Sequence, residues 1–257
     1  MQTSPAPWIE ALRKSHNALR GTVMPLAAAA LEQKSYASEW SIAQVLSHLG
    51  SQAEIFGLFL DAGTDGREPP ENDTFPPIWQ KWNAKPAEAQ AADALQIDDE
   101  LTTRFESLDE QQRRELRLRL FGMELDTAGL ARMRLGEHAV HSWDIAVALD
   151  RTATLAPDAT GLLIDTLGQV VARAAKPDGS VREAHVSTTD PVRHFVLDIG
   201  ESVTLSPAAE TDTQPELELP AEALIRLVYG RLDAAHTPAL KTNCADVDEL
   251  RRIFPGF

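Results

Sequence analysis

The sequence predicts a chain of class α + (α+β): an N-terminal up-down four-helix bundle over residues 1–152, followed by a small α+β domain over residues 153–257. Three observations predict it. Apolar residues recur at helical spacing as far as Asp150, and short runs alternating in period two follow. The chain's 257 residues, 43 % of them apolar, also exceed one average domain and can fill two small cores.

The first helix runs from Trp8 to about Leu31; it follows Pro5 and Pro7 and is expected to kink near Pro25. The second starts at a capping box, Ser41 with Gln44, in which each side chain accepts from the other residue's amide. Behind it Ile42, Val45, Leu46, Leu49, Ala53, Phe56 and Leu60 repeat at helical spacing. The segment Asp61 to Pro76 is rich in Gly, Pro, Asp and Asn and reads as a loop. A third helix spans about Pro86 to Ser107, "LRLRLFGMELDT" reads as a short extended crossing, and Asp126 or Thr127 caps a fourth helix running to about Asp150.

Beyond Asp150 the texture changes. A helix over about Pro157 to Ala175 precedes the strand-like runs "HFVLDI", "SVTLSP" and "PELELP", and "AEALIRLVYGRL" and "DVDELRRIF" close the chain as helices.

Charge and composition narrow the partners. With 24 basic against 39 acidic side chains the net charge is −15, which would repel a phosphate backbone or an anionic membrane over most of the surface. The expected partner is therefore a small molecule. No run of eighteen apolar residues is present, and the start lacks the basic-then-apolar order of a secretion signal, so a cytoplasmic location is expected. The one cysteine, Cys244, cannot form an internal disulfide; with no histidine near it in sequence it reads as a helix-start residue.

The chemistry is concentrated in "RLGEHAVHSWD", Arg134 to Asp144. At about 100° per residue, Met133, Gly136, Val140, Trp143 and Val147 form an apolar or small stripe facing the bundle. Glu137 and Asp144 fall at its edge, His141 lies slightly further round, and His138 is placed opposite, facing solvent. His48 falls on the flank of the second helix, near Gln52 and Phe59. Glu137 and His141 at i and i+4, joined by His48, would supply one oxygen and two imidazole nitrogens, a set suited to zinc with an open fourth position. An open position is what metal-assisted catalysis requires.

Spacing alone leaves a second reading, in which Glu137 and His141 are an exposed i,i+4 pair worth a few tenths of a kcal/mol and His48 a half-buried, satisfied histidine. Asp144 could orient a ligand imidazole, polarise a substrate or cap an amide, and its position favours the first. Trp40 and Trp143 read as core anchors, and His16, His185, His194 and His236 as ordinary histidines.

Two motifs carry a family resemblance. "WSIAQVLSHL" (Trp40 to Leu49) resembles the first metal motif of the DinB-like helical-bundle superfamily, and "RLGEHAVHSWDIA" (Arg134 to Ala146) resembles its second. The glutamate at the first ligand position and the following H-x-W-D are similar to the mycothiol-dependent maleylpyruvate isomerase branch, which also appends a small domain resembling sterol carrier proteins. The resemblance implies a divalent metal, usually zinc, on His48, Glu137 and His141, and mycothiol as a thiol cosubstrate. It also implies an arginine of the small domain at the site. In "LVYGRL" Arg231 matches best, with Arg226 a weaker match, and such an arginine would grip a substrate carboxylate or stabilise enolate charge.

The expected activity is that of a mycothiol-dependent S-transferase or maleylpyruvate-type cis-trans isomerase acting on an electrophilic small molecule. A metal-dependent hydrolase or amidase on the same triad, and a non-enzymatic ligand-binding module, are the alternatives.

Overall fold

The computed structural model describes residues 4–37, 39–210, 214–243 and 246–256; Cys244, expected at a helix start, lies outside them. α1 (Ala6–Val23) stops ahead of Pro25, whose ring cannot continue the backbone ladder, and α2 (Ala28–Leu31) is a separate short turn rather than the far arm of a kinked helix. α3 (Ile42–Asp65) begins at the expected capping box: the Ser41 hydroxyl accepts from the Gln44 amide at 3.2 Å, and the Gln44 carbonyl oxygen accepts from the Ser41 amide at 2.8 Å. It runs to Asp65, so the first five residues of the stretch expected to be loop are helical. α4 (Phe75–Asn83), α5 (Ala87–Ser107) and α6 (Glu110–Glu115) follow. A two-stranded hairpin, β1 (Leu118–Leu120) with β2 (Met123–Leu125), forms the extended crossing. α7 (Thr127–Leu149) then starts at Asp126, whose side chain accepts from the Gly129 amide at 2.8 Å.

The order of the long helices departs from the expected up-down alternation. Late in α5, Arg104 pairs with Asp61, late in α3, while early in α5 Gln90 donates to the Trp82 carbonyl beside Gly50, early in α3. α3 and α5 therefore run parallel. α1 is antiparallel to α5, because Arg13 reaches Glu106 while His16 reaches Asp98. α7 is antiparallel to α3, with Arg134 against Leu49 and His141 against Trp40. The sequence of directions is thus up, down, down, up.

The cause is α4, which reads as loop in the sequence. It returns along α3, with Phe75 against Phe59 (ring centroids 5.8 Å apart) at one end and Trp82 against Gly50 at the other, so α5 can start where α3 started. This return depends on a missing side chain: a β-carbon on Gly50 would stand 2.4 Å from the Trp82 ring.

Residues Met1–Ala153 form one compact unit and Thr154–Phe257 a second. In the second, α8 (Pro157–Leu163) and α9 (Gly168–Ala174) replace the single expected helix, separated by a 3-10 turn at Ile164–Thr166. Five strands follow: β3 (Arg182–Thr189), β4 (Arg193–Ile199), β5 (Val203–Pro207), β6 (Leu217–Pro220) and β7 (Lys241–Thr242). They form one sheet in the order β5-β4-β3-β6-β7, in which β3 and β6 are parallel and all other neighbours antiparallel. β4, β5 and β6 are the three strand-like runs; β3 is not among them because, although it alternates, only Ala184 and Val186 of its residues are apolar. α10 (Ala221–Val228) packs on β3 and β6, α9 on β5, and α11 (Val247–Ile253) ends the unit. α10 stops short of the expected helix because Gly230 takes a left-handed φ of 70° at a spot where a β-carbon would meet the backbone of Pro255 and Gly256. Among the described residues no helix is long and apolar enough to cross a membrane.

Gly50→Ala is expected to cost about 1–3 kcal/mol by overpacking against Trp82, read as a lower urea midpoint at unchanged m-value. An unchanged midpoint would contradict the close approach of α4.

Candidate metal centre

The capping box at Ser41 sets the start of α3 and so places His48 two turns inside it, on the side that meets α7. Glu137 and His141 sit one turn apart on α7. His48 Nε2 lies 3.5 Å from Glu137 Oε2, and His141 Nε2 lies 3.8 Å from the same oxygen. One ligand atom from each of the three residues lies within 4.8 Å of the other two, making this the one such group among the described residues. Ligands about 2.1 Å from a tetrahedral ion stand about 3.4 Å from one another, so two of the three separations are already near coordination distance.

The surroundings fit a cation. His48 Nε2 is buried and has no hydrogen-bond partner, a state that costs about 1–3 kcal/mol unless a ligand satisfies the lone pair. His141 donates from Nδ1 to Asp144 Oδ2 at 2.9 Å, which leaves its Nε2 lone pair facing Glu137. The Asp144 side chain is fully buried, and its backbone carbonyl accepts from the Tyr36 amide at 3.0 Å. Asp144 is thus a buried carboxylate hydrogen-bonded to a candidate ligand ring.

Protonation is also suited to metal. Burial pushes the His48 imidazole below its ordinary 6.5; Glu137 opposes this, and the charges of His141 and Arg134 add to it. Burial alone would raise the Glu137 carboxyl, but its contact with His48 and the charges of His141, His48 and Arg134 prevail and bring it from 4.5 to about 2. At neutral pH His48 therefore offers a free lone pair and Glu137 a full charge.

Three sequence expectations are corrected here. His138, expected to face solvent, is 1 % exposed, because α7 packs on α1 as well as α3 and has no wide solvent face at that level. Its Nε2 donates to Asp98 Oδ2 at 2.9 Å, and its Nδ1 accepts from Ser15 Oγ at 2.7 Å. His16, treated as ordinary, belongs to the same cluster and donates from Nδ1 to Asp98 Oδ2 at 2.7 Å. Trp40 is no core anchor: 37 % exposed, it lies across the two candidate ligand rings, with centroids 5.3 Å from His48 and 6.4 Å from His141. Trp143, in contrast, is buried, and its indole donates to the Ala153 carbonyl at 2.8 Å.

Asp98 and Arg134 escaped sequence reasoning. Arg134, 1 % exposed, donates from Nη2 to Asp98 Oδ1 at 2.7 Å and to the Leu49 carbonyl at 3.2 Å. Burial would raise the Asp98 carboxyl, but the charges of His138 and Arg134 and its hydrogen bonds hold it well below the usual range. The available signal was phase: Asp98 lies on the α5 face that buries Ala94, Leu95, Leu101 and Phe105.

In the second unit, Arg231 is half-buried and donates to the Tyr229 carbonyl at 2.7 Å. Arg226, the weaker match, is buried and grips both carboxylate oxygens of Glu222 at 2.7 Å, with further bonds to the Arg231 and His236 carbonyls. Those contacts make it a structural arginine.

Asp144→Asn is expected to weaken zinc binding about 10- to 100-fold, measured by competition with a chromophoric chelator. Acid should act on Glu137 with a defined sign. Its folded pKa of about 2 lies under the ordinary 4.5, so the stability it contributes is complete above pH 4.5 and lost as pH falls toward 2. The difference in urea midpoint between metal-free wild type and Glu137→Gln should shrink as pH falls across that window.

Comparison with known proteins places this site in a family. The family model described as "Mycothiol maleylpyruvate isomerase N-terminal domain" matches residues 12–146, more than half of the chain. No curated protein sequence matches it. Among solved structures, the mycothiol-dependent maleylpyruvate isomerase superposes with a TM-score of 0.63 at 13 % identity, covering 90 % of this chain and 92 % of that one. A histidine-to-alanine mutant of the isomerase gives 0.63 at 12 % identity with the same coverage. YfiT from Bacillus subtilis gives 0.43 at 16 % identity, covering 57 % of this chain and 86 % of that one. At these identities the likeness to the isomerase establishes a shared fold. On the family match, which spans every residue of the three-ligand cluster, the chain belongs to the mycothiol maleylpyruvate isomerase N-terminal domain family.

Proposed function

We propose that this protein is a metal-dependent enzyme that uses mycothiol as a thiol cosubstrate against an electrophilic small molecule. The observation that carries the reading is the three-ligand cluster of His48, Glu137 and His141, one carboxylate and two imidazoles, in a chain of this family. A zinc-type divalent cation in such a set supplies Lewis acidity that lowers the pKa of a bound thiol, making thiolate available at neutral pH.

The chain's own residues prepare that site. Asp144 accepts the hydrogen bond of the His141 Nδ1–H and so fixes which nitrogen faces the cluster. Burial keeps His48 unprotonated, and Glu137 supplies the one negative charge among the ligands. The partly exposed Trp40 forms an apolar wall over both imidazoles and screens them from water on that side. The resemblance, rather than the geometry, offers Arg231 as the substrate's guanidinium, able to grip a carboxylate or stabilise developing enolate charge.

Of the reactions open to an added thiol, S-transfer is favoured over cis-trans isomerisation. An isomerase of dicarboxylates needs several cations around its substrate, and a chain of net charge −15 offers few beyond Arg231. In S-transfer a C–S bond forms at the electrophilic carbon, the leaving group departs with its bonding pair, and the thiol proton is released.

The test is product analysis by mass spectrometry. Zinc-loaded protein is incubated with a panel of electrophiles, including maleylpyruvate, with and without mycothiol. An S-conjugate that forms only with both thiol and metal, and at least about 100-fold more slowly with His141→Ala, is the expected result. Isomerised substrate with thiol regenerated would replace S-transfer by isomerisation, and hydrolysis without mycothiol would overturn the thiol reading.

A further inference from the structure

α7 is held from two sides. One side carries Glu137 and His141 beside His48 of α3. On another, Arg134 and His138, four residues apart and so one turn from each other, grip the two oxygens of a single carboxylate: Arg134 Nη2 on Asp98 Oδ1 and His138 Nε2 on Asp98 Oδ2. Two attachments to one group fix rotation about the helix axis better than one. Arg134 Nη2 also donates to the carbonyl of Leu49, the residue after His48, so the same guanidinium ties the ligand-bearing turn of α3 to that of α7.

Small rotations matter here. On a helix about 10–12 Å across with its side chains, a turn of about 20° displaces a side-chain end by about 2 Å, as long as a metal–ligand bond. Fold stability alone does not account for this cluster. Arg134 Nε and Nη1 are buried without partners, and apolar residues of similar volume commonly replace buried ion pairs at no cost in stability. A charged group kept under such conditions, one turn from the ligands, points to a geometric role.

We propose that Asp98 is a positioning residue for the metal centre: by holding Arg134 and His138 together it sets the rotational phase of α7 that keeps Glu137 and His141 beside His48. The proposal rests on the metal reading of those three residues. His16 donates to the same oxygen as His138 but is carried by α1 rather than α7, which makes it the internal control.

The experiment is titration with Co²⁺, followed by its visible ligand-field bands and by calorimetry, on the full chain as wild type, Asp98→Asn, His138→Gln and His16→Asn. Urea midpoints are measured in parallel. All three variants should lose stability. Asp98→Asn and His138→Gln should also bind Co²⁺ at least about tenfold more weakly with altered bands, whereas His16→Asn should stay within about twofold of wild type with its bands unchanged. Wild-type affinity and bands in both Asp98→Asn and His138→Gln would overturn the proposal, as would an equal loss in His16→Asn. Failure of both Asp98→Asn and His138→Gln to fold would also overturn it, since the cluster would then serve the fold as a whole. If wild type itself bound no Co²⁺, the metal reading would fall instead.

Discussion

A carboxylate buried among helices must be neutralised, and the helical unit is organised around the way it meets that demand. Asp98 of α5 sits with one guanidinium and two imidazole N–H groups within hydrogen-bond distance, drawn from α7 and α1, and Arg134 carries the connection on to the backbone of α3. Removing one partner of such a group costs about 3–5 kcal/mol, because the other charge is left buried and unpaired. The four long helices are thereby tied at one level. The candidate ligands project from α3 and α7 within a turn of that level.

Three candidate ligands would leave a coordination position free, where a structural site has four protein ligands, and the chain's one cysteine is far away in sequence. The support around the ligands is dense on one side only. Asp144 is fully buried behind His141 and fastened to the loop through the Tyr36 amide, and Tyr36 packs against Trp143 with ring centroids 4.8 Å apart. Glu137, by contrast, keeps 37 % of its side chain exposed. A hydrogen-bonded imidazole, a partly exposed carboxylate and an aromatic wall from Trp40 are features expected of a site that exchanges small molecules.

The helices were legible in the sequence wherever one face is apolar and the ends are capped, as at Ser41 and Asp126. α4 was not, because "FPPIWQKW" opens with prolines beside a run of loop residues, and the helix is held by tertiary contacts of Phe75 and Trp82. Missing it meant missing the direction of α5, since direction depends on whether the chain returns before the next helix begins. The candidate ligands were legible from i,i+4 spacing and from the histidine after Trp40. Phase analysis failed for His138 because it allowed α7 a single buried face, whereas α1 and α3 bury two. Asp98 was hidden for a related reason: by residue type the acids of "IDDE" look alike, and only helical phase along α5 marks this one as buried.

The proposed chemistry requires that the cluster hold a metal that in turn holds a thiol. Calorimetric titration of mycothiol into zinc-loaded and chelator-stripped wild-type protein tests this most directly. Saturable binding to the loaded protein at one thiol per chain, lost on stripping and restored by zinc, is the predicted result. Equal binding to both forms, or none to either, would contradict it.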